Sequence, residues 1–203
     1  MSDEAQPPES LWRLFIAVEL PVELRRQLAD SAGAVARHWP NLAVRWTPAD
    51  NLHLTLRFLG DTDPVRVDDL CRGIDGVCAE APAFELQLAG LGAFPSVDRP
   101  RVLWAGVGGS GVPALHRLQK AMEGVMCELG WPSERGKAFH PHLTLGRVRE
   151  LGKARPRAGW DTESVPEQSF AVEELVLVRS ELSPQGARYA IWHRASLVCN
   201  PSS

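Results

Sequence analysis

His53-Leu54-Thr55-Leu56 and His142-Leu143-Thr144-Leu145 are the same four-residue pattern, found once in each half of the chain. Each pattern stands in a run of alternating polar and apolar residues, which is typical of a β-strand with one buried face. Side chains two residues apart on a strand point the same way, so each run predicts an imidazole beside a hydroxyl on its polar face. Two imidazoles brought together supply one general base and one general acid near neutral pH.

The alternation assigns the first run, Asn51 to Leu59, to two faces of a strand. The apolar face carries Leu52, Leu54, Leu56 and Phe58, and the polar face carries His53, Thr55 and Arg57. The second run spans Phe139 to Val148, and strict alternation puts Arg147 on the face opposite to His142. Arg147 therefore reaches the His142 face only if the strand is irregular near Gly146, because a glycine within a strand often marks such a place.

The two motif runs belong to a longer internal repeat. Four pairs of landmarks recur at nearly constant offsets: Phe15 and Trp104 by 89 residues, Trp39 and Trp131 by 92, His53 and His142 by 89, and Phe84 and Phe170 by 86. Two similar β-α-β units follow from this repeat. If a pseudo-two-fold axis relates them, their equivalent strands, and hence the two histidines, approach each other across a cleft. The alternative is a coincidence between two generic α/β halves.

Apolar periodicity predicts the remaining elements. Strands are expected at 11–19, 44–46, 51–59, 84–91, 102–107, 139–148, 170–182 and 188–198, and helices at 21–38, 64–78 and 113–129. The run 11–19 is almost continuously apolar, which indicates a central strand. The last two strands are expected to form a hairpin around the turn 183–186, after a loop at 149–168. We expect residues 1–10 to be a disordered tail and residues 11–200 to be a single domain of two similar lobes.

Composition narrows the class of protein. With 44% hydrophobic residues, 23% charged residues and a formal charge of −3, the chain has no general positive field that would attract nucleic acid. Its four cysteines are scattered, without a CxxC pair or zinc-finger spacing. No apolar stretch precedes Leu11, and no run approaches the length of a transmembrane helix. We therefore expect a soluble cytoplasmic monomer with no membrane partner.

The chain resembles the 2H phosphoesterases, a family named for two His-x-Thr/Ser-x motifs, and within it the RNA 2',3'-cyclic phosphodiesterases, also called 2'-5' RNA ligases. The matching segments are Arg13 to Ala17, Asn51 to Gly60 and His140 to Arg147, and the resemblance covers about residues 11 to 198. It implies an α+β, bilobal fold in which two antiparallel sheets flank a central cleft with helices outside. It also implies hydrolysis of RNA 2',3'-cyclic phosphate ends to 2'-phosphomonoesters, without a metal or other cofactor.

The same resemblance implies a role for each motif residue. His53 corresponds to the proton donor for the leaving ribose oxygen, and His142 to the proton acceptor for the attacking water. Thr55 and Thr144 match the hydroxyls that contact the phosphate. Arg147 matches the arginine that follows the second motif and contacts the phosphate in the family.

Further candidates come from the strand pattern and from side-chain chemistry. Arg57 falls on the predicted His53 face and is a second candidate for phosphate contact, with a solvent-facing arginine at a strand end as the alternative. Aromatic rings can stack on a terminal base, although large aromatic residues are more often part of a core. The candidates for lining the substrate are Phe58, Phe139, His140, Trp160 and Tyr189.

Two rival kinds of function stay open at this level. His140 and His142 fall on one strand face and could form a three-imidazole zinc site with His53, but no carboxylate accompanies either motif, and threonine is a poor zinc ligand. A non-catalytic RNA-binding module would use the paired histidines only to contact phosphate, but the modest net charge argues against electrostatic affinity alone. Within the enzyme class, 2'-5' ligation is hydrolysis in reverse, with a 5'-hydroxyl in place of water.

Overall fold

The computed structural model describes residues 11–37, 42–133, 138–150, 168–183 and 186–199. The described strands and helices, in chain order, are β1 (Trp12–Glu19), α1 (Val22–Arg37), β2 (Ala43–Trp46), β3 (His53–Thr62), α2 (Val67–Cys78), β4 (Phe84–Phe94), β5 (Val102–Gly108), α3 (Val112–Glu128), β6 (His142–Glu150), β7 (Ser169–Val172), β8 (Glu174–Ser183) and β9 (Gly186–Ser196). The predicted tail, most of the predicted loop 149–168 and the centre of the turn 183–186 lie outside the described residues.

The helices begin where proline and capping residues predict. Pro113 stands in the first turn of α3, where its fixed φ suits the helix and its missing N–H has no intrahelical partner to lose. A short 3-10 turn, Pro64–Arg66, leads into α2, and the Asp63 side chain accepts a hydrogen bond from the backbone N–H of Val65. The apolar stripes of the helices then pack with one face of the sheet in a single core cluster.

The strands form one nine-stranded antiparallel sheet with two similar halves. Along the sheet the order is β7-β4-β5-β6-β3-β1-β8-β9, and β2 pairs separately with β6. The order is symmetric about the boundary between β6 and β3, where the register has a single pair, Leu54 with Leu143. The α+β class and the antiparallel pairing are confirmed. The two predicted sheets are the two halves of this sheet, joined at that pair.

The strand order corrects two details of the predicted repeat. Ala17 of β1 pairs with Thr55, and Trp104 of β5 pairs with Thr144. Because Thr55 and Thr144 are the equivalent threonines of the two motifs, the residue equivalent to Trp104 is Ala17 and not Phe15. The predicted strand 170–182 is two strands, β7 and β8, which lie in opposite halves of the sheet. Phe170 is on β7, which pairs with the β4 strand of Phe84, and the equivalent of β4 is β8. The chain crosses from one half to the other between β3 and β4 and again between β7 and β8, which a constant offset does not reveal.

The central strand β1 is buried on both faces, as its apolar run predicts. Leu14, Ile16 and Val18 belong to the main core beneath the helices. Phe15 and Ala17 point to the opposite face and form a second small cluster with two valines of β8. β1 lies between β3 and β8, so its position and the cluster on its second face account for five consecutive buried residues.

Candidate active site

The two His-x-Thr motifs lie side by side where the halves of the sheet meet. Leu54 of β3 pairs with Leu143 of β6, and both leucines are fully buried in the core. The residues on either side of each leucine point to the opposite face, which we term the cleft face. His53 and His142 therefore both lie on the cleft face, and the charge of His142 acts on the pKa of His53, so the two imidazoles are close enough to interact electrostatically.

Both imidazoles are held in one orientation by the backbone two residues earlier. Nδ1 of His53 lies 2.8 Å from the carbonyl oxygen of Asn51, and Nδ1 of His142 lies 2.6 Å from that of His140. A carbonyl oxygen only accepts, so each Nδ1 carries a hydrogen and donates it. Each Nε2 then accepts a proton when its ring is neutral and donates one when its ring is charged. The same geometry therefore suits either histidine to proton transfer at Nε2.

A β-bulge in β3 turns the residues after the first motif onto unexpected faces. Two consecutive residues of β1 pair with Thr55 and Arg57, which leaves Leu56 as the extra residue. Arg57 therefore turns toward the core, with 7% exposure, and Phe58 turns to the cleft face, with 55% exposure. The prediction from strict alternation, with Arg57 beside the motif histidine and Phe58 on the apolar face, is wrong beyond Leu56 for this reason.

An equivalent bulge in β6 brings Arg147 to the cleft face. Two consecutive residues of β5 pair with Thr144 and Gly146, so Leu145 is the extra residue. The irregularity expected near Gly146 is confirmed, and the Arg147 charge acts on the pKa of both motif histidines. The first residue on the cleft face after the bulge is Phe58 in the first motif and Arg147 in the second. The two motifs thus share a backbone conformation but present different side chains, an aromatic ring and a cation.

The Arg57 guanidinium is engaged on the core side. Its Nη1 lies 3.0 Å from Oε1 of Glu123 in α3, and its Nη2 donates to the carbonyl oxygens of Trp131 at 3.0 Å and Pro132 at 2.7 Å. These contacts join β3 to the segment that follows α3. Arg57 therefore has a structural role, and a phosphate contact by Arg57 stays a prediction.

We expect Arg57→Met to lower the free energy of unfolding by about 2–4 kcal/mol, because it leaves a partly buried carboxylate and two carbonyl oxygens without their donor. Urea unfolding followed by circular dichroism measures this change. The matched control Arg26→Met removes an exposed arginine that lies 3.8 Å from Glu23, and we expect a change below about 0.5 kcal/mol. Equal losses in the two variants would contradict a structural role for Arg57.

Aromatic rings enclose His53 and lower its pKa. The Phe15 ring stacks on the His53 ring with the centroids 4.7 Å apart, and the Tyr189 ring meets it edge-on at 5.3 Å. The pKa of His53 is lowered from 6.5 to about 4, mainly by burial and further by the charges of His142 and Arg147, while its backbone hydrogen bond acts in the opposite direction. In the free protein His53 is therefore neutral at pH 7.

The second histidine has its own aromatic neighbours. Phe94 lies edge-on to His142 at 5.0 Å and to His140 at 5.2 Å. Trp104 lies 5.0 Å from His140 and 6.3 Å from His142. Burial lowers the pKa of His142 below 6.5, and the charges of His140 and Arg147 act in the same direction. Both motif imidazoles thus favour the neutral form at pH 7 before substrate binds.

The predicted substrate-lining residues divide between the site and the core. Phe58 and Tyr189 border a cavity beside the motif strands, and His140 lies next to His142 as described above. Phe139 instead packs against the main core and meets the ring of His116 on α3 at 5.6 Å, so it belongs to the core. Trp160 lies outside the described residues.

Three aromatic residues beside the motif histidines were not predicted as site residues: Phe15, Phe94 and Trp104. Each stands in a largely apolar strand run, so its pattern is that of a core residue. One signal does exist for Trp104, because Gly92 on the paired strand makes room for its ring. A Cβ atom at Gly92 would lie 1.9 Å from the indole. A glycine opposite a large aromatic residue thus marks a ring that lies flat across the neighbouring strand.

Two statements about alternative classes follow from the described part of the chain. There, no group of three or more His, Cys, Asp or Glu side chains is arranged to hold a metal ion. The three-imidazole zinc site considered for His53, His140 and His142 is therefore not assembled among these residues. No described helix has both the length and the apolar character that crossing a membrane requires.

The fold and the site together define a class of protein. Two similar halves of an antiparallel sheet meet at paired His-x-Thr strands, which is the arrangement of the two-histidine phosphoesterases. A family model described as LigT like Phosphoesterase matches residues 18–104, which include the first motif.

Curated relatives point the same way. The RNA 2',3'-cyclic phosphodiesterase of Thermus thermophilus is 34% identical over 192 residues, which cover 91% of this chain and 90% of the relative. A protein of the same name from Geobacillus stearothermophilus is 34% identical over 172 residues, and the alignment covers 83% of this chain and 52% of that relative, so the chain spans about half of its length. The chain belongs to the LigT-like phosphoesterase family of the 2H superfamily.

Solved structures agree in fold. A crystal structure of a Thermus thermophilus protein matches with a TM-score of 0.74 and 31% identity, covering 91% of this chain and 97% of that chain. The crystal structure of E. coli LigT complexed with 3'-AMP matches with a TM-score of 0.69 and 31% identity, covering 93% of this chain and 99% of that chain.

Proposed function

We propose that this chain hydrolyses RNA 2',3'-cyclic phosphate ends to 2'-phosphomonoesters by acid–base catalysis with two histidines. The observation that supports the proposal is the pairing of Leu54 with Leu143, which turns both motif histidines to one face of the sheet, while each Nδ1 donates to the backbone and leaves Nε2 for proton transfer. The relatives named RNA 2',3'-cyclic phosphodiesterase support the substrate class.

In this mechanism each histidine moves one proton. A water molecule attacks the phosphorus and gives a proton to Nε2 of His142. The bond between phosphorus and the ribose 3'-oxygen breaks, and Nε2 of His53 gives its proton to that oxygen. The order follows the family resemblance, since the two motifs have equivalent geometry. The product keeps its phosphate on the 2'-oxygen.

The remaining residues of the cleft face stabilise the charge on the phosphate. Thr55 and Thr144 each offer a hydroxyl donor next to a motif histidine, and Arg147 offers a guanidinium whose charge acts on both imidazoles. Donors aimed at non-bridging oxygens are most effective where charge accumulates in the transition state. The exposed ring of Phe58 offers a surface on which the terminal base stacks.

Because the pKa of His53 is lowered, the protonation of this general acid depends on the bound substrate. Burial and the neighbouring cation keep His53 neutral in the free protein, yet the acid must carry a proton. A bound cyclic phosphate brings one negative charge between the imidazoles and stabilises the imidazolium form. Substrate binding is therefore coupled to uptake of the catalytic proton.

A direct experiment tests the proposed function against its two rivals. An RNA with a 2',3'-cyclic phosphate end is incubated with the protein, with and without a second RNA that carries a 5'-hydroxyl. Hydrolysis produces a phosphomonoester in both reactions. A joined product that forms only with the acceptor RNA would favour 2'-5' ligation. Binding without any turnover would favour the non-catalytic RNA-binding module.

We expect activity to be independent of divalent metal ions, because both proton transfers are assigned to imidazoles. Treatment with excess EDTA, followed by gel filtration, should leave kcat on the cyclic-phosphate RNA unchanged. Loss of activity that one divalent ion restores would contradict the two-histidine mechanism.

We expect kcat/KM to be highest at acidic pH and to fall as pH rises through the higher of the two histidine pKa values. The profile of kcat/KM reports free-enzyme groups, and the active form carries one proton on the imidazole pair. Both pKa values lie below 6.5, that of His53 at about 4, so the alkaline limb should have its midpoint below 6.5. The kcat profile should lie at higher pH, since bound phosphate favours the imidazolium. A kcat/KM limb centred above 7 would contradict this account.

A further inference from the structure

A cavity of about 930 Å³ is lined by Phe15 and Tyr189, the two rings that contact His53, and is rich in arginine. Four arginines border it: Arg13, Arg45, Arg57 and Arg147. Arg57 is engaged by Glu123 and two carbonyl oxygens, as described above. The other three come from three different strands, β1, β2 and β6, and no Asp or Glu is among the described residues that line the cavity. This concentration of guanidinium groups stands in a chain whose formal net charge is −3.

One wall of the cavity carries two arginines in direct cross-strand register. Arg45 of β2 pairs with Arg147 of β6, so the two side chains share one face of the sheet. The pair thus brings two guanidinium groups to the border of the cavity.

A second set of lining residues forms a polar row across three strands. Arg13 of β1 pairs with Ser180 of β8, and Ser180 pairs with Tyr189 of β9. Two residues further along β1, the next row on this face is apolar and begins with Phe15 and Val178. The surface is therefore apolar at the row of Phe15 and carries hydrogen-bond donors at the row of Arg13, Ser180 and Tyr189. Guanidinium and hydroxyl groups are the donors that bind phosphate oxygens.

Arginines from both sets of residues act on the Tyr189 hydroxyl. Burial raises the pKa of Tyr189, and the charges of Arg147, Arg13 and Arg45 act on it in the opposite direction. All three guanidinium groups are thus near one hydroxyl, although they come from both halves of the sheet. The ring of the same tyrosine lies 5.3 Å from His53, which connects this polar region to the catalytic pair.

The distance along β1 between Phe15 and Arg13 indicates that Arg13 binds a second phosphate and not the reacting one. The Phe15 ring stacks on His53, and Arg13 is two residues, or about 7 Å, further along the strand. A group held by Arg13 therefore lies one step beyond the reacting phosphate. Asp61 is the cross-strand neighbour of Arg13 on β3, but it does not line the cavity.

We propose that Arg13, Arg45 and Tyr189 bind the internucleotide phosphate on the 5' side of the terminal nucleotide. This inference rests on the proposed function and specifies its substrate. The preferred substrate is an RNA end of two or more nucleotides, and a mononucleoside 2',3'-cyclic phosphate occupies only the catalytic part of the cleft. Arg147 lies between the two phosphates and serves the reacting one.

The test compares three substrates with the wild-type protein. They are a mononucleoside 2',3'-cyclic phosphate, a dinucleotide that ends in a 2',3'-cyclic phosphate, and the same dinucleotide with an uncharged methylphosphonate linkage. We expect kcat/KM for the charged dinucleotide to exceed that for the mononucleotide by about tenfold or more, as for a charge-assisted contact. The methylphosphonate dinucleotide should fall toward the mononucleotide value. This comparison needs no variant and is independent of folding defects.

Variants then locate the second phosphate. Arg13→Gln and Arg45→Gln should each lower the ratio of kcat/KM between the charged dinucleotide and the mononucleotide by about tenfold. The control Arg26→Gln, at an exposed position of α1, should leave that ratio unchanged. The methylphosphonate dinucleotide should be nearly insensitive to the first two substitutions.

The outcomes separate this inference from the proposed function. Equal kcat/KM for the charged and uncharged dinucleotides would overturn the second phosphate site while leaving hydrolysis intact. Arginine variants that lower kcat/KM for all three substrates equally would also overturn it, because that pattern assigns them to the reacting phosphate. No turnover of any substrate by the wild-type protein would overturn the proposed function, and this site with it.

Discussion

His53→Ala and His142→Ala should each lower kcat on a cyclic-phosphate RNA by about 10²–10⁴, the range that a positioned proton donor or acceptor contributes. Each substitution removes one of the two Nε2 atoms that the backbone hydrogen bonds orient toward the cleft. The loss should fall on kcat more than on KM, because proton transfer takes place only in the transition state. Single-turnover and steady-state assays with the same RNA separate the two constants.

His116→Ala is the matched control, because His116 is exposed on α3 and contacts Phe139 away from the motif strands. Its turnover should be close to that of the wild type. Thr55→Ala and Thr144→Ala should lose less than the histidine variants, since each removes one hydroxyl donor to the phosphate. Near-normal turnover in either motif histidine variant, with the fold verified by circular dichroism, would remove that residue from the mechanism.

A substrate with an activated leaving group should rescue His53→Ala and fail to rescue His142→Ala. In a 3'-deoxynucleoside 2'-(4-nitrophenyl) phosphate, the nitrophenolate leaves without protonation, so the acid is not needed and the base still is. We expect His53→Ala to retain activity within about tenfold of the wild type on this analogue. His142→Ala should still lose about 10²–10⁴. Release of nitrophenolate is followed by absorbance.

The pattern of rescue decides the assignment of the two roles. Rescue of His142→Ala alone would reverse the acid and the base. Equal rescue of both variants would contradict the division of roles between the motifs. The backbone geometry of the two histidines is equivalent, so the fold alone does not show which histidine is the acid and which is the base.

The motif strands were predictable because their signal is local. A His-x-Thr pair that alternates with leucines specifies a strand, its buried face and its polar face. The recurrence of the pair at 89 residues specifies a duplicated unit. The pairing of Leu54 with Leu143 puts the apolar faces of both strands on the same side of the sheet, in the core. The predictions of the histidine pair and of the α+β class depend only on these features.

The faces on which Arg57 and Arg147 lie could not be predicted from the local sequence pattern alone. A bulge depends on which residue of a neighbouring strand is paired with which, and that partner lies far away in the chain. The bulge at Leu56 sent Arg57 into the core, and the one at Leu145 brought Arg147 to the cleft face. Gly146 indicated the second bulge, because glycine favours such irregularities. Leu56 offers no comparable signal, so strict alternation failed there.

The crossing of the chain between the halves was also hidden from the sequence. Phe84 and Phe170 recur at nearly the repeat offset, yet their strands are neighbours in one half of the sheet. Both are core residues in similar apolar runs, so periodicity alone made them appear equivalent. The aromatic rings around the histidines were missed for the same reason, because Phe94 and Trp104 follow the pattern of core residues.

The position of the phosphate in the product tests the central claim most directly. A short RNA that ends in a 2',3'-cyclic phosphate is digested to completion with the protein, and the product is examined by ³¹P NMR against authentic 2'- and 3'-phosphate standards. With His53 as the proton donor to the 3'-oxygen, the product is the 2'-phosphomonoester alone. A 3'-phosphomonoester would mean that the substrate lies the other way round between the histidines, and an unchanged cyclic phosphate would contradict hydrolysis by this site altogether.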